Sequence, residues 1–404
     1  MCDLIYDFTS IMDRRGWDAM AVDSLGTGEK SAPDLPEKGF DPIPMWVADM
    51  NFPTVPAVTE AMLRRVKHPV FGYFSATKEY YDSIIRWHEA RNGVTGLTKE
   101  CIGYENGVLG GVISALNVLC SKGDSVFIHS PTYIGFTSCL TKNGYHMVHS
   151  PLVTDSDGIW RMDFADMEEK IVENKIHAAV FCSPHNPCGR VWEREELEHA
   201  MEIFKKHDVY VVSDEIWSDI ILSGHKHIPL QSISEDARNR TVALYSPSKT
   251  FNLAGLVSSY HIIYNQWLKE RVEKEAGLPQ YNHMNVLSMH ALTGAYSQEG
   301  SAWTDELRQV LTGNADYACQ YIEHHFEGVR VSIPQGTYML FLDCTEWCEK
   351  NGKSIEELEK AGWNVGVAWQ DGRAFGGPCH IRVNLALPFS RVQEAFERLG
   401  RYVF

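Results

Sequence analysis

"IHAAVFCSPHNPCGRVWEREELEHAMEIFKKHDVYVVSDE", Ile176 to Glu215, decides the fold class. Its opening run, "IHAAVFCSP", reads as a strand: short, apolar, and closed by proline and asparagine turn residues. "REELEHAMEIFKKHD" then sets Leu197, Ala200, Met201 and Phe204 at helical spacing. "VYVVSDE" reads as a second strand. Strand, helix and strand in that order predict a βαβ unit and a parallel strand pair.

The same alternation continues on both sides. Upstream, "GVLGGVISALNVLCSKG" reads as a helix led by Gly107, and "DSVFIHSP" as a short buried strand. Downstream, "TVALYSPSK" and "VSSYHIIY" read as strands. Together they predict an α/β fold with a mostly parallel central sheet. After about residue 290 the pattern changes. A long helix, "WTDELRQVLTGNADYACQYIEHHF", precedes "GTYMLFLD", a further helix and "CHIRVNLA". That predicts a smaller α+β domain. Residues 1–45, irregular and rich in Asp, Gly and Pro, are expected to join it. The large domain is placed at 46–288, and the small one at 1–45 and 289–404.

The totals bound the function. The chain has 404 residues, enough for more than one core. Lys+Arg 37 against Asp+Glu 53 gives a net charge of −16, which argues against nucleic acid or an anionic membrane as main partner. An anionic small ligand stays possible, because it needs only local positive charge. The N-terminus lacks a basic segment followed by an apolar one, and no apolar run approaches the roughly 20 residues of a membrane helix. A cytoplasmic protein with reduced thiols is therefore expected. Cys344 and Cys348 stand four apart with no second pair, so no metal site is expected. The histidine pairs in "HKH" (His225–His227) and "HH" (His324–His325) read as solvated surface residues.

In an open α/β sheet, ligands bind beyond the carboxyl ends of the strands. Asn186 follows "AAVFC", Asp214 ends "VYVVS", and Tyr133 follows "DSVFIHSP". Ser246, Ser248 and Lys249 follow "TVALY", and Gly107 opens a helix whose free N–H groups suit a phosphate. A lone strand-end Asp is more often a helix cap, and a lone "SPSK" more often a turn. Their joint order asks for one ligand that uses an amine, a buried carboxylate, an aromatic face and a phosphate cradle. Pyridoxal 5'-phosphate is such a ligand: lysine bonds to it, an Asp pairs with its pyridinium nitrogen, and the ring is an electron sink.

"SDEIWSD", "HNPCGRVW" and "SPSKTFNLAGL" resemble the fold-type I pyridoxal-phosphate enzymes, the aspartate-aminotransferase-like superfamily. "PMWVADMNFPTVPAV" (Pro44–Val58), "VFGYF" (Val70–Phe74) and "PHNPCGRVW" more narrowly resemble the MalY/PatB-type C–S lyases, including cystathionine β-lyases. The resemblance runs from about residue 40 to 400. It implies a role for each matching residue. Lys249 bonds to the cofactor and is the base at Cα. Asp214 pairs with the pyridine nitrogen, Asn186 donates to the phenolic oxygen, and Tyr133 stacks on the ring. Val108 and Leu109 offer N–H groups to the phosphate, helped by Ser246 and Ser248. Tyr73 reaches the neighbouring phosphate across a homodimer interface. Arg382 clamps the substrate carboxylate with its planar fork.

One position departs from the resemblance. Many aminotransferases carry Tyr after "DEI" and the C–S lyases commonly His, where this chain has Trp217. Indole is bulkier and offers only an N–H donor. It either packs at the site edge or retunes the pocket. The expected reaction is β-elimination from cystathionine or a related cysteine S-conjugate, giving a thiol, pyruvate and ammonia. An aminotransferase or an amino-acid racemase on the same scaffold is the alternative. A regulatory or scaffold protein ranks lower, since Lys249 and Asp214 are both present.

Overall fold

In the computed structural model, which describes residues 4–280 and 282–404, the Ile176–Glu215 stretch folds as one βαβ unit. Strand Ala178–Cys182 runs parallel to Tyr210–Asp214, with Cys182 opposite Asp214. Every residue of the first strand is buried. Both faces of the sheet are covered, so the run is continuously apolar rather than alternating. Helix Arg194–Lys206 makes the crossover. Its first turn is fixed by a capping box between Glu193 and Glu196. Leu197, Ala200, Met201 and Phe204 are all buried, and the larger of them each contribute roughly 1.5–3 kcal/mol of burial.

The large sheet has seven strands. In spatial order they are Ile102–Glu105, Ser259–Ile262, Thr241–Tyr245, Tyr210–Asp214, Ala178–Cys182, Ser125–Ser130 and His146–Pro151. The last five are mutually parallel. Ser259–Ile262 runs antiparallel to both its neighbours. The two edge strands were not read in the sequence. "IGYE" and "HMVHSP" mix polar and apolar residues: His146–Pro151 is partly exposed, while Ile102–Glu105 is mostly buried and its Glu105 lies 2.8 Å from His261 Nδ1.

Helix Val108–Leu119 begins at Gly107, whose φ of 85° suits glycine. Gly111 lets it approach the sheet: a Cβ there would stand 2.6 Å from Leu244 Cδ2. The smaller sheet is antiparallel, in the order Arg330–Val331, Met339–Asp343, His380–Asn384 and Gln370–Asp371. The long helix spans Gln298–His325, capped by Ser297. Ile43–Pro44 pairs in parallel with Val367–Ala368, so the N-terminal segment meets the C-terminal third of the chain.

Among the described residues no helix is long and apolar enough to cross a membrane. Cys344 and Cys348 are buried in the apolar core. One histidine departs from expectation. His227 of "HKH" is buried, not solvated, and its Nε2 lies 2.8 Å from Glu215 Oε2. The sequence offered no sign of this, because the pairing partner is twelve residues away across a turn.

Candidate active site

The parallel strands of the large sheet end at one edge, and a cavity opens there. Val108, Leu109, Tyr133 and Asn186 line it, and so do Asp214, Trp217, Ser246, Ser248 and Lys249. Nine residues singled out in the sequence therefore meet in one place. Arg382 lies beside them, donating to Asn186 Oδ1 at 3.4 Å. Tyr73 does not join them within one chain; its side chain stands wholly in solvent.

Lys249 follows the end of strand Thr241–Tyr245. Its Nζ donates to the Ala48 carbonyl at 2.7 Å and sits 5.6 Å from the centre of the Trp217 ring. Burial pushes the amine down to about 8. Arg382 acts in the same direction, while Asp49 and Asp214 oppose it. An amine in that range is partly neutral near physiological pH, as a nucleophile must be.

Asp214 ends its strand and is buried. Burial pushes its carboxyl up to about 7, against a backbone bond from Ile216 and the attraction of Lys249. Oδ1 accepts from Ile216 N–H at 3.0 Å; Oδ2 takes no hydrogen bond from the described residues. A buried carboxylate half used by the protein suits a cationic N–H partner.

Ser246 and Ser248 stand in the turn before Lys249, their hydroxyl oxygens 3.1 Å apart. Ser246 Oγ donates to the Ser258 carbonyl and accepts from Ser248 N–H at 3.2 Å. Across the cavity, the first N–H groups of helix Val108–Leu119 have no partner within the helix. Helix N-terminus and serines together form an anion cradle. Tyr133 is the N-cap of helix Ile134–Lys142. Its ring packs against Gly135, where a Cβ would lie 2.2 Å away.

Asn186 is held by the turn "HNPCGR", which His185 and Arg190 close with a backbone bond of 2.8 Å. Arg190 is itself buried and pairs with Glu196 Oε2 at 2.5 Å, tying the turn to the crossover helix. Three contributors had no sequence signal: the Ala48 carbonyl, Tyr338, whose hydroxyl donates to that carbonyl at 3.1 Å, and Gln370, which accepts from Arg382 at 2.5 Å. Ala48 lies 201 residues from Lys249 and 290 from Tyr338, Gln370 reaches Arg382 across a strand pair, and a carbonyl carries no residue identity.

Residues 42–399 match the family model described as aminotransferase class I and II. The chain belongs to this family. Aminotransferase class I and II enzymes of this fold use pyridoxal phosphate, and the donor set fits it: a buried amine, a half-free buried carboxylate, a ring and an anion cradle. Within the family, cystathionine β-lyase PatB of Bacillus subtilis is 33% identical over 89% of this chain and 92% of its own length. A pyridoxal-phosphate-bound C–S lyase from Staphylococcus hominis is 30% identical, with a TM-score of 0.87 over 99% of this chain and 100% of that one. A pyridoxal-phosphate-bound putative aminotransferase from Clostridium difficile is 32% identical, with a TM-score of 0.89 over the same shares of the two chains.

Proposed function

We propose that this member of the family is a C–S β-lyase that cleaves cystathionine or a related cysteine S-conjugate, taking up water and giving a thiol, pyruvate and ammonia. The observation that carries this reading is the meeting of Lys249, Asp214, Asn186 and the helix led by Gly107 in one cavity, in a chain 33% identical to a relative named cystathionine β-lyase.

Pyridoxal phosphate, bound there, supplies an electron sink for the pair left when Cα loses its proton. The protein does the rest. Val108 and Leu109 N–H groups would hold the phosphate, helped by the Ser246 and Ser248 hydroxyls. Asp214 would pair with the pyridine nitrogen and keep a proton on it. Asn186, its Oδ1 oriented by Arg382, would donate to the phenolic oxygen. Tyr133 would cover the ring. Arg382 takes the substrate carboxylate. Lys249 Nζ removes the Cα proton, and the thiolate then leaves from Cβ.

Residues 46–288 make the cofactor-binding domain in this reading, and 1–45 with 289–404 the smaller one. The chain works as a homodimer, with Tyr73 of each protomer reaching the other's phosphate. Its support is the exposed apolar run of Val70, Phe71 and Tyr73, which a partner subunit would cover. A cytoplasmic location agrees with nine described cysteines, none of them disulfide-bonded.

The test is pyruvate release from cystathionine and S-alkyl cysteines by the purified holoenzyme, with Lys249→Ala as control. Release by the parent alone is expected. No pyruvate from any conjugate, with an amino acid formed instead from a 2-oxo acid and a donor, would replace this reading with aminotransfer. Loss of optical rotation without net reaction would replace it with racemisation.

A further inference from the structure

Lys249 has two positions to occupy in any reaction of this site: bonded to the cofactor, or free while a substrate amine takes its place. The second position is built into the chain. Nζ donates to the Ala48 carbonyl at 2.7 Å and lies 5.6 Å from the centre of the Trp217 ring. That carbonyl is held in place by the Tyr338 hydroxyl at 3.1 Å. Tyr338 in turn packs edge-on against Trp217, with ring centres 4.7 Å apart and planes at 77°. Trp217 is buried and Tyr338 likewise, so neither ring is free to turn away.

We propose that Ala48, Trp217 and Tyr338 form a holding site for the free ammonium of Lys249, and that the Trp217 ring face sets how tightly this amine keeps its proton. The proposal rests on Lys249 being the cofactor-bonding lysine. Trp217 is a positioning residue here. The negative face of an indole attracts a cation, most strongly where water is excluded. A carbonyl acceptor alone leaves the ammonium with one of its three donors satisfied. Burial and the charge of Arg382 act against the ammonium, while Asp49 and Asp214 attract it. The ring tips this balance toward the ammonium. This gives the indole a purpose that the usual hydrogen-bonding side chain at this position would not serve.

The experiment uses the full-length chain stripped of cofactor by dialysis against hydroxylamine. Added pyridoxal phosphate is captured only by the neutral amine, and the visible absorbance created on capture reports the rate. In the parent the rate rises with pH to a plateau, with a midpoint set by Lys249. Trp217→Leu, which stays apolar but removes the ring face, should move that midpoint down by about one pH unit. Trp217→Phe keeps a ring face and should move it less than half as far. Tyr338→Phe removes the hydroxyl that fixes the Ala48 carbonyl and should move it down by a smaller step. An unmoved or raised midpoint in Trp217→Leu overturns the proposal, and so does Trp217→Phe shifting as far as Trp217→Leu. If Trp217→Leu does not fold, Trp217→Phe decides, and a midpoint that stays or rises overturns the proposal. Absence of capture by the parent, or capture undiminished in Lys249→Ala, would instead defeat the assignment of Lys249.

Discussion

The Arg382 guanidinium donates to Asn186 Oδ1 at 3.4 Å, and so joins the central strand of the small sheet to the turn that ends a strand of the large one. Its other acceptors are the Trp46 carbonyl at 3.0 Å and Gln370 Oε1 at 2.5 Å, all neutral. Phe375 lies under it, 4.4 Å from ring centre. No carboxylate pairs with it among the described residues, and burial pushes it down to about 10. A buried cation without an anion is costly, and a substrate carboxylate would relieve it.

Arg382→Lys keeps the charge but loses the fork. Two charge-assisted hydrogen bonds weakened at once predict a fall of about 100-fold in kcat/KM. Steady-state kinetics with cystathionine should place most of it in KM. An unchanged KM would move the carboxylate clamp elsewhere.

Asp214 gives a prediction whose sign is set by its environment. Burial raises its carboxyl from the ordinary 3.8 to about 7. Between those values the folded cofactor-free chain holds a proton that the unfolded chain has released. Stability from this group is therefore full below pH 4 and lost as pH rises toward 7. At pH 8 the buried charge costs up to about 4 kcal/mol. Cofactor-free Asp214→Asn should thus melt higher than the parent at pH 8, by a margin that narrows toward pH 5. Thermal melts across that range check it; a margin independent of pH would contradict it.

Gly135 faces the Tyr133 ring so closely that a Cβ would stand 2.2 Å from Tyr133 Cε1 and 3.0 Å from Leu109 Cδ1. Gly135→Ala must push the ring, the start of the phosphate-cradle helix, or both. Overpacking of this kind costs roughly 1–3 kcal/mol. Weaker cofactor retention, about tenfold by equilibrium dialysis, is expected alongside a lower melting temperature.

Glu215 is wholly buried and gathers four donors: His227 Nε2 at 2.8 Å, Tyr245 Oη at 2.7 Å, and Leu230 N and Ser213 Oγ, both at 3.1 Å. Glu215→Gln would set an amide N–H₂ among groups that need an acceptor. One or two donors left unsatisfied should destabilise the fold by about 2–4 kcal/mol. Denaturant unfolding measures the loss.

The shared-site dimer can be tested by mixing defects. Lys249→Ala and Tyr73→Ala homodimers should each be weak, the first inactive. Co-expressed as a hybrid, they form one site carrying both defects and one carrying neither. Activity in the isolated hybrid should return to about half the parent's. A hybrid no better than its parents would place Tyr73 outside the site.

Much of the frame was legible in the chain. The buried strands around Asn186, Asp214 and Lys249 are mostly apolar; Asp214 ends its strand, and Asn186 and Lys249 each follow theirs by four residues. Parallel strands all end at the same edge, so residues after each strand must converge there. The edge strands were not legible, since His146–Pro151 is partly exposed and Ile102–Glu105 is only four residues long and buries a glutamate. The burial of His227 was hidden for another reason: its hydrogen-bond partner is set by a turn, not by sequence spacing.

The sequence by itself determined which chemical groups this protein has and the order in which a parallel sheet must deliver them. Local runs and turns suffice for that, because each strand and its terminal residue are neighbours in the chain. Tertiary structure alone decided how those groups are held. Ala48 lies 201 residues from the lysine it receives, Asn186 lies 196 from the arginine that orients it, and Trp217 meets Tyr338 across two sheets. Such contacts depend on how separate layers pack, and packing is fixed by shape and burial across the whole fold, not by any pattern a single segment can carry.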